Sequence, residues 1–307
     1  MRGWITDPNG DAGLRLATDL PEPQPADNEA VIDVKAYSIN RGELGLIARR
    51  PDGFRPGQDV AGVVASQAAD GSGPAVGTRV VSAVDWHGWA ERVATPVELM
   101  APLPESVSFE QAATLPVAGL TALSALRFGG SILGRRVLIT GATGGVGQFA
   151  IQLARAAGAH VTAVVSSEAR LAEARDLGAH VALAGPIPGG TELFDLVLEG
   201  VGGANMVESM GFTVAGGTIA LYGTVGGPSE ISLADFQRRS SVSIRSHILD
   251  AEPGRRSGKE LGVLVGLIAE GKLRPLVGLS LDWSRTPDAM RALTERDVRG
   301  KAVLTLS

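Results

Sequence analysis

The stretch RVLITGATGGVGQFAIQLARAAGAHVTAVV, residues 136–165, decides the fold of the middle of the chain. A short apolar run at 137–140 has the character of a strand, and glycines follow it at positions 141, 144, 145 and 147. Apolar residues then recur at helical spacing until Gly158, and a second apolar run occupies 161–165. This order of strand, glycine turn, helix and strand is typical of a dinucleotide site, because the free N–H groups at the start of the helix face the phosphates.

Two glycines of the turn have separate roles in this interpretation. Gly144 allows the backbone to approach a pyrophosphate, and Gly147 allows the helix to pack close to the strand. The pattern departs from a strict GxGxxG because Ala142 occupies the first glycine position. A tight turn that binds nothing is the alternative. The candidate cofactor contacts in the turn are Thr143, Gly144, Gly145, Val146 and Gly147.

The composition is that of a globular protein with an acidic balance. The 307 residues include 28 lysines and arginines against 33 aspartates and glutamates, and the net charge of −5 argues against a dedicated surface for nucleic acid or an anionic membrane. There is no cysteine, so disulfides, thiolate metal sites and thiol nucleophiles are excluded. No apolar run approaches the roughly 20 residues that span a bilayer, and the N-terminal MRGWITDPNG has no apolar signal core. We therefore expect a cytoplasmic protein without nucleic-acid or membrane partners.

The patterning of the chain changes near residue 109. Before that point, glycine-, proline- and aspartate-rich turns separate short strand candidates at 31–34, 60–65, 79–83 and 92–94. Beyond the glycine turn, helices alternate with strand candidates at 181–184, 195–198, 218–221 and 242–246, which predicts an α/β fold with a doubly wound parallel sheet. The segment 184–190 is predicted to be a loop. The tail carries a helix at 259–269, a strand at 279–281, a helix around 286–294 and a strand at 302–306.

The order of these segments resembles that of the zinc-independent medium-chain dehydrogenase/reductases of the quinone oxidoreductase (ζ-crystallin-like) type. Besides the glycine turn, the similarity covers PGQDVAGVV (56–64), VGTRV (76–80), HGWAERVATP (87–96), LPESVSFEQAATLPVAGLTALSAL (103–126), FDLVLEGVGG (194–203), GGTIALYGTVGG (216–227) and RGKAVLTL (299–306). The resemblance implies a GroES-like β-barrel domain at 1–112 and 256–307 and a Rossmann NADP-binding domain at 113–255. It also implies an active cleft between the two domains.

The metal ligands of the zinc-dependent relatives are missing. Zinc alcohol dehydrogenases of the same superfamily use Cys, His and often Glu, whereas this chain has no cysteine and reads Gly57-Gln58-Asp59 where Gly-His-Glu is frequent. The four histidines, His87, His160, His180 and His247, are scattered along the sequence and none is paired at ligand spacing. We therefore predict a mechanism without metal.

The end of the second strand of the dinucleotide unit bears on the choice between NAD and NADP. An NAD-binding strand usually ends in an acidic residue that holds the ribose 2′-OH. Here it ends in Ser166-Ser167, and Glu168 comes late and is predicted to open the next helix. Arg170 follows where the family often places a basic residue, and two hydroxyls with a guanidinium suit a 2′-phosphate. NADP(H) is therefore the expected cofactor. In the alternative, Ser166 caps the helix and Arg170 is a surface charge.

The resemblance also implies residues near the reacting groups. Asn40 would face the nicotinamide or the substrate, with an Asx turn as the alternative, and Thr121 would lie near the carboxamide, unless its hydroxyl bonds back to its helix. Tyr37 is a candidate for a chemical role unless strand alternation directs it into the core. The pattern departs from the family at Arg41 and Glu43, which removes an aromatic proton-donor candidate.

Further residues complete the implied site. The cofactor would pass Val201, Leu221, Tyr222, Gly223 and Lys301, although a lysine at such a position can also be a surface charge. An aromatic cluster of Trp86, His87 and Trp89 would wall a flat apolar substrate, unless it is simply a packed loop.

Three functions are compatible with these features. The first is an NADPH-dependent reductase that transfers a hydride to a quinone or an α,β-unsaturated carbonyl. The second is an enoyl or ketone reductase of a specialised biosynthetic pathway, because the family shares its motifs across these reactions. The third is a cofactor-binding structural or regulatory protein without enzymatic activity.

A homodimer is the expected assembly. The strand candidate at 242–246 should lie at a sheet edge, and two such edges can pair across a twofold axis. The resemblance points to the same strand. The alternative is a monomer whose edge is protected by the charges of Arg238, Arg239 and Arg245.

Overall fold

The structure, a computed structural model, describes residues 1–190, 192–238, 241–246 and 258–306. Arg239 and His247 lie outside the described residues, as does the side chain of Arg238. The chain forms two compact units. The first unit comprises Met1–Leu120 and Pro253–Ser307, and the second comprises Thr121–Glu252. The sequence-based limits of the two domains, 1–112 with 256–307 for the GroES-like domain and 113–255 for the Rossmann domain, remain a prediction.

The described elements are as follows in chain order. The strands are β1 Gly3–Asp11, β2 Leu14–Ala17, β3 Glu29–Ile39, β4 Asp59–Ser66, β5 Arg79–Ala83, β6 Arg92–Pro96, β7 Met100–Pro102, β8 Arg136–Thr140, β9 His160–Val165, β10 Val181–Ala184, β11 Phe194–Glu199, β12 Thr213–Leu221, β13 Ser243–Ser246, β14 Val277–Asp282 and β15 Lys301–Thr305. The α-helices are α1 Arg41–Ile47, α2 Phe109–Ala113, α3 Leu120–Arg127, α4 Gly147–Ala156, α5 Leu171–Asp176, α6 Ala204–Phe212, α7 Leu233–Arg238, α8 Gly258–Ala269 and α9 Thr286–Thr294.

The first unit contains a mostly antiparallel sheet with the strand order β14-β15-β3-β4-β5-β7, in which β6 also pairs with β3. One end of this sheet collects residues from distant parts of the sequence. Ser38, near the end of β3, lies opposite Asp59, the first residue of β4. Ile39 lies opposite Ala302 of β15. This register brings Asn40, Asp59 and Lys301 to the same end of the sheet.

Helix starts in the first unit follow from local capping. Ser108 precedes α2, and its hydroxyl accepts a hydrogen bond from Gln111 N while Ser108 N donates to Gln111 Oε1, both at 3.1 Å. Asn40 precedes α1, and its backbone N–H donates to Glu43 Oε2 at 2.7 Å. Such reciprocal bonds satisfy N–H groups that have no partner inside a helix. The short motifs SFEQ and NRGE therefore begin helices where they stand.

The second unit is the predicted doubly wound parallel sheet. Its strand order is β10-β9-β8-β11-β12-β13, so the chain moves outward in one direction from β8 and then restarts beside it at β11. All five pairings are parallel. The restart makes the carboxyl ends of β8 and β11 the switch point of the sheet, where α/β folds bind their ligands.

The main differences from the sequence interpretation concern the N-terminal strands. The sequence does not predict strands β1, β2 and β7. Strand β1 is hidden by the turn-forming residues Pro8-Asn9-Gly10, and its pairing with β2 is irregular between Thr6 and Asp11. Strand β13 lies at the end of its sheet within the described residues, as expected for the segment 242–246. Within the described part of the chain, no helix has the length and apolar character needed to cross a membrane.

Candidate active site

The glycine turn joins β8 to α4 at the switch point of the second unit. Gly141 has a φ of +59° and accepts a hydrogen bond from Gly144 N at 2.9 Å. A Cβ at Gly147 would lie 2.5 Å from the carbonyl oxygen of Gly141, so the predicted close packing of helix and strand is present. The left-handed residue of the turn is Gly141, and this is why Ala142 is accommodated at the position where the strict pattern has glycine.

Gly144 differs from Gly147 in what surrounds it. A Cβ at Gly144 would meet one atom within 4 Å, the Gly141 carbonyl oxygen at 3.1 Å. The side of the turn at Gly144, Gly145 and Val146 is half-buried, whereas Thr143 and Gly147 are buried. The turn is thus closed towards the protein and open on the side from which a phosphate group can approach.

The predicted 2′-phosphate residues lie close to the turn in space. Ser166 and Ser167 are exposed, and the Arg170 guanidinium donates to Thr143 Oγ1 at 3.4 Å. A short helical turn does begin at Glu168, and the residue before it is Ser167, whose hydroxyl makes no capping bond. The contact with Thr143 places the Arg170 cation beside the phosphate turn, 27 residues away along the chain.

A buried carboxylate that the sequence analysis did not identify orders the same region. Glu199, the last residue of β11, accepts hydrogen bonds from the Thr140 hydroxyl at 2.7 Å, from Val201 N at 3.0 Å and from Gly202 N at 2.7 Å. Thr140 in turn accepts from Gly200 N at 2.9 Å. Glu199 thereby fixes the loop after β11 to the end of β8. The available signal was an acidic residue at the end of the largely apolar strand FDLVLE, directly before the glycine-rich segment GVGG.

The loops after β11 and β12 touch through their backbones. A Cβ at Gly223 would lie 2.2 Å from the carbonyl oxygen of Gly200. The Tyr222 hydroxyl donates to Thr140 O at 3.2 Å, and burial raises the pKa of this phenol above its usual range. Val201, Leu221, Tyr222 and Gly223 are all half-buried here. The structure therefore groups these four predicted residues with Glu199 at the carboxyl ends of β8, β11 and β12.

A second cluster lies at the sheet end of the first unit. The Asp59 carboxylate accepts from the Ser38 hydroxyl, from Asn40 Nδ2 at 2.8 Å, from Lys301 Nζ at 3.2 Å and from Val117 N at 2.8 Å. Lys301 also donates to Asn40 Oδ1 and, at 3.2 Å, to Ile39 O. Lys301 is 2% exposed and Asp59 is fully buried, so this lysine is a buried ion-pair partner and not a surface charge.

Asn40 is held from both sides by this pair. Its amide oxygen faces the Lys301 ammonium and its amide nitrogen faces the Asp59 carboxylate. The side chain is half-buried, and it also hydrogen-bonds to the Glu43 carboxyl group. The side chain of Asn40 therefore bonds to residues far along the chain, in addition to its local capping of α1.

Glu43 lies beside this cluster, and the pKa of its carboxyl group is shifted. Its Oε1 atom is buried and has no partner among the described residues. Burial, with the Asp59 carboxylate, raises the pKa of Glu43 to about 8, although the Asn40 backbone N–H and the Lys301 charge oppose the rise. This rise favours the protonated form of the Glu43 carboxyl group.

Tyr37 lies in the core of the first unit. It is fully buried, its ring stacks on Trp89 with centroids 5.8 Å apart, and its hydroxyl shares a hydrogen bond with the Thr286 hydroxyl. Burial also raises the pKa of the phenol above its usual range. This placement speaks against a chemical role for Tyr37, and the alternation of β3 that sends Ser38 to Asp59 explains it. Trp89 belongs to the same core, so it does not wall a substrate.

Thr121 lies in the first turn of α3, directly after a wider helical turn at Leu115–Gly119. Its side chain is nearly buried. Thr121 is also the first residue of the second unit. Its proximity to a carboxamide remains a prediction.

The described residues contain no group of three or more metal-ligating side chains. Gln58 is buried, and Asp59 is occupied by the cluster around Lys301. The histidines are less scattered than expected, since His160 and His180 stack with ring centroids 4.2 Å apart. His180 Nδ1 accepts from Val161 N at 2.9 Å and is therefore engaged in holding strand β9. The absence of metal from the mechanism stays a prediction.

A glycine turn at the switch point of a parallel sheet is the arrangement of the dinucleotide-binding α/β class of proteins. A sequence model of the family described as zinc-binding dehydrogenase matches residues 145–256. The human NAD(P)H oxidoreductase RTN4IP1, mitochondrial, is 32% identical over 100% of this chain and 89% of its own length. The chain belongs to the medium-chain dehydrogenase/reductase family, in its quinone oxidoreductase-like branch, and is an oxidoreductase of that type.

Two further comparisons agree with this assignment. The quinone oxidoreductase of Thermus thermophilus, solved with and without NADPH, is 33% identical, and each chain covers 100% of the other with a TM-score of 0.85. The spectinabilin polyketide synthase system protein NorB of Streptomyces orinoci is 32% identical over 92% of this chain, which corresponds to 13% of that protein. The chain is thus similar both to a free-standing reductase and to one segment of a much larger synthase.

Proposed function

We propose that this protein is an NADPH-dependent reductase that transfers a hydride to a quinone or an α,β-unsaturated carbonyl without a metal ion. The observation that supports the cofactor most directly is the Arg170–Thr143 contact beside an open glycine turn. The exposed hydroxyls of Ser166 and Ser167 stand where an NAD-binding strand would carry a carboxylate. The NADPH complex of the Thermus relative is consistent with this choice.

Each part of the second unit has a defined task in this proposal. The backbone of 143–147 receives the pyrophosphate, and Arg170 with Ser166 and Ser167 receives the 2′-phosphate. Glu199 keeps the loop with Val201 in place, and Leu221, Tyr222 and Gly223 form the neighbouring loop along the cofactor. NADPH would supply the hydride, so no protein nucleophile is required.

In this proposal, Asn40 of the first unit is the polar group that contacts the substrate. Asn40 is pre-oriented by Lys301 and Asp59, so its amide group can face a carbonyl substrate without first losing conformational freedom. Lys301 acts here by positioning Asn40, which revises the direct cofactor contact expected from the resemblance. Thr121 remains a proposed contact of the carboxamide.

An enoyl reductase of a biosynthetic pathway is the second candidate. The similarity to a segment of a polyketide synthase protein favours it. The two enzymes differ in the substrate they accept, because a pathway enzyme of this kind acts on enoyl thioesters. A cofactor-binding protein without activity would bind NADPH and reduce none of these compounds.

The cofactor assignment is tested by titration. We expect NADPH to bind at least about tenfold more tightly than NADH, a difference of about 1.4 kcal/mol that one charge-assisted contact can supply. Fluorescence titration of the wild type and of Arg170→Ala measures both affinities. Arg127→Ala, at the end of α3, is the control. Equal affinities in the wild type, or an unchanged ratio in Arg170→Ala, would contradict the assignment.

The substrate class is tested by NADPH oxidation with quinones, enones and enoyl thioesters. Turnover restricted to thioesters would favour the biosynthetic alternative, and binding without turnover would favour the non-enzymatic one. The small-molecule substrate, the homodimer and the cytoplasmic location belong to the same proposal. RTN4IP1 is named as mitochondrial, so fractionation of the native cells is the appropriate test of location.

A further inference from the structure

The loop at 84–89 lies at the same sheet end of the first unit as Asn40 and Lys301. Strand β5 ends at Ala83, opposite Asp59, and the loop that follows bonds to the segment that precedes β4. Val84 N donates to Gln58 O at 2.9 Å, Gly88 N to Gly57 O at 3.1 Å and His87 N to Arg55 O at 3.2 Å. These backbone bonds hold the loop 84–89 against the segment 55–58 beside the cluster around Asp59.

The loop is held in a conformation that ordinary residues avoid. Trp86 and His87 are consecutive and both have positive φ, 67° and 68°. A non-glycine residue in this region costs about 1 kcal/mol or more, and such strain is typical of functional sites. The loop backbone is fixed by its hydrogen bonds to segment 55–58. The backbone conformation of Trp86 and His87 therefore sets the direction in which their side chains leave the loop.

The Arg55 guanidinium is partly buried, and no described carboxylate forms an ion pair with it. Its side chain is half-buried, and its Nε atom is buried without a partner among the described residues. Burial lowers the pKa of Arg55, and no acidic group opposes that effect. The same cation helps to keep the neighbouring His87 uncharged, although burial contributes more and Asp85 opposes it. A buried donor of this kind is costly unless something accepts from it.

Two aromatic rings belong to the same pair of segments, because Phe54 precedes Arg55 in the chain and Trp86 precedes His87, whose N–H bonds to Arg55 O. Phe54 and Trp86 pack edge to face with centroids 5.2 Å apart. The Arg50 guanidinium covers both rings, at 4.7 Å from the Phe54 centroid and 5.3 Å from the Trp86 centroid. Phe54, Trp86 and Arg50 therefore form one aromatic cluster in the segments that carry Arg55 and His87, and a planar conjugated group can pack against such rings.

We propose that Arg55 binds a carboxylate on the substrate, while Phe54 and Trp86 contact its conjugated part. A guanidinium with an unused Nε donor suits a carboxylate, because the two groups can form paired charge-assisted hydrogen bonds. This inference rests on the proposed reductase function and narrows its substrate class to conjugated carbonyl compounds that also carry an acid group.

A matched pair of compounds tests the inference. The acid trans-3-benzoylacrylate and its methyl ester share one enone and one ring and differ in the negative charge. With saturating NADPH, we expect the wild type to reduce the acid with a kcat/KM at least about tenfold above that of the ester. Arg55→Met should remove this preference by slowing the acid alone. Arg55→Lys, which keeps the charge, should retain part of it, and Arg49→Met, an exposed neighbour, should behave like the wild type.

Binding measurements separate this inference from the reductase proposal. Calorimetry on the NADP-loaded protein, with 3-benzoylpropionate and its methyl ester, reports carboxylate recognition even if neither enone is reduced. Absence of turnover would count against the reductase proposal. An equal affinity for acid and ester, or an acid preference that survives in Arg55→Met, would overturn the role of Arg55. Unchanged NADPH affinity in Arg55→Met confirms that the variant is folded.

Discussion

Three carboxylates are buried in the described part of the chain, and each is held differently. Asp59 is compensated by the Lys301 ammonium, and Glu199 accepts three hydrogen bonds. Glu43 accepts one bond from the Asn40 backbone and has one oxygen without a partner among the described residues. Burial and the nearby Asp59 carboxylate raise the pKa of Glu43 despite the Lys301 charge, so the ionisation of Glu43 should be visible in the stability of the protein.

At the residue scale, we expect Glu43→Gln to change how stability depends on pH. The pKa of Glu43 is raised from 4.5 to about 8 in the folded protein, so the unfolded chain releases this proton first. The contribution of Glu43 is therefore greatest below pH 4.5 and is lost as the pH rises to about 8, at a rate of at most about 1.4 kcal/mol per pH unit. Glutamine resembles the protonated acid and cannot ionise, so the variant should gain stability relative to the wild type as the pH rises.

Urea unfolding at about pH 5 and pH 8 measures this difference. Glu208→Gln, which changes an exposed carboxylate in the second unit, is the control. Parallel stability curves for the wild type and Glu43→Gln would show that Glu43 is ionised like an ordinary glutamate.

A second prediction at this scale concerns the glycine turn. Gly144→Val places a branched side chain on the open side of the turn, where the proposed pyrophosphate approaches the backbone. NADPH affinity should fall by at least about tenfold, while thermal unfolding changes little. Gly211→Val is a matched control, because a Cβ at this helical glycine has open space around it. Normal NADPH binding by a folded Gly144→Val would place the cofactor elsewhere.

At the scale of elements, we predict a homodimer that forms through the edge strand β13. This strand pairs with β12 on one side, and the described residues show no strand on the other. We expect a particle of twice the 31.6 kDa chain mass, and we expect Ile244→Pro to yield monomers because proline removes a backbone donor from the edge. Ile244→Thr keeps that donor and is the control. Light scattering at micromolar protein concentration measures the mass of the particle. A wild-type mass near 31.6 kDa would reject the dimer.

At the scale of the whole molecule, the chain supplies no cysteine and its described residues contain no metal-ligating cluster. Activity should therefore survive prolonged treatment with EDTA or phenanthroline, and elemental analysis should find far less than one zinc per chain. Activity that is lost to the chelator and restored by zinc would establish a metal-dependent mechanism.

Much of the second unit could be predicted because its signals are local. The glycine turn, the helix that ends at Gly158 and the strands on either side lie within 30 consecutive residues, and their apolar spacing is the same property that buries them. The edge position of β13 and the helical turn at Glu168 follow from the same alternation. The irregular β1 escaped prediction because its turn-forming residues mask its pairing with β2.

The sequence by itself determined the two kinds of sheet, the glycine turn between β8 and α4 and the absence of thiol chemistry. Only the tertiary structure decided that Lys301 neutralises Asp59, 242 positions away, that Tyr37 faces the core, and that Arg55 lacks a carboxylate partner among the described residues. Local periodicity reports which side of an element is buried, but it does not report what faces a polar group there. That outcome depends on strand register, which brings distant residues to one sheet end and so sets which charges are paired and which remain free for a ligand.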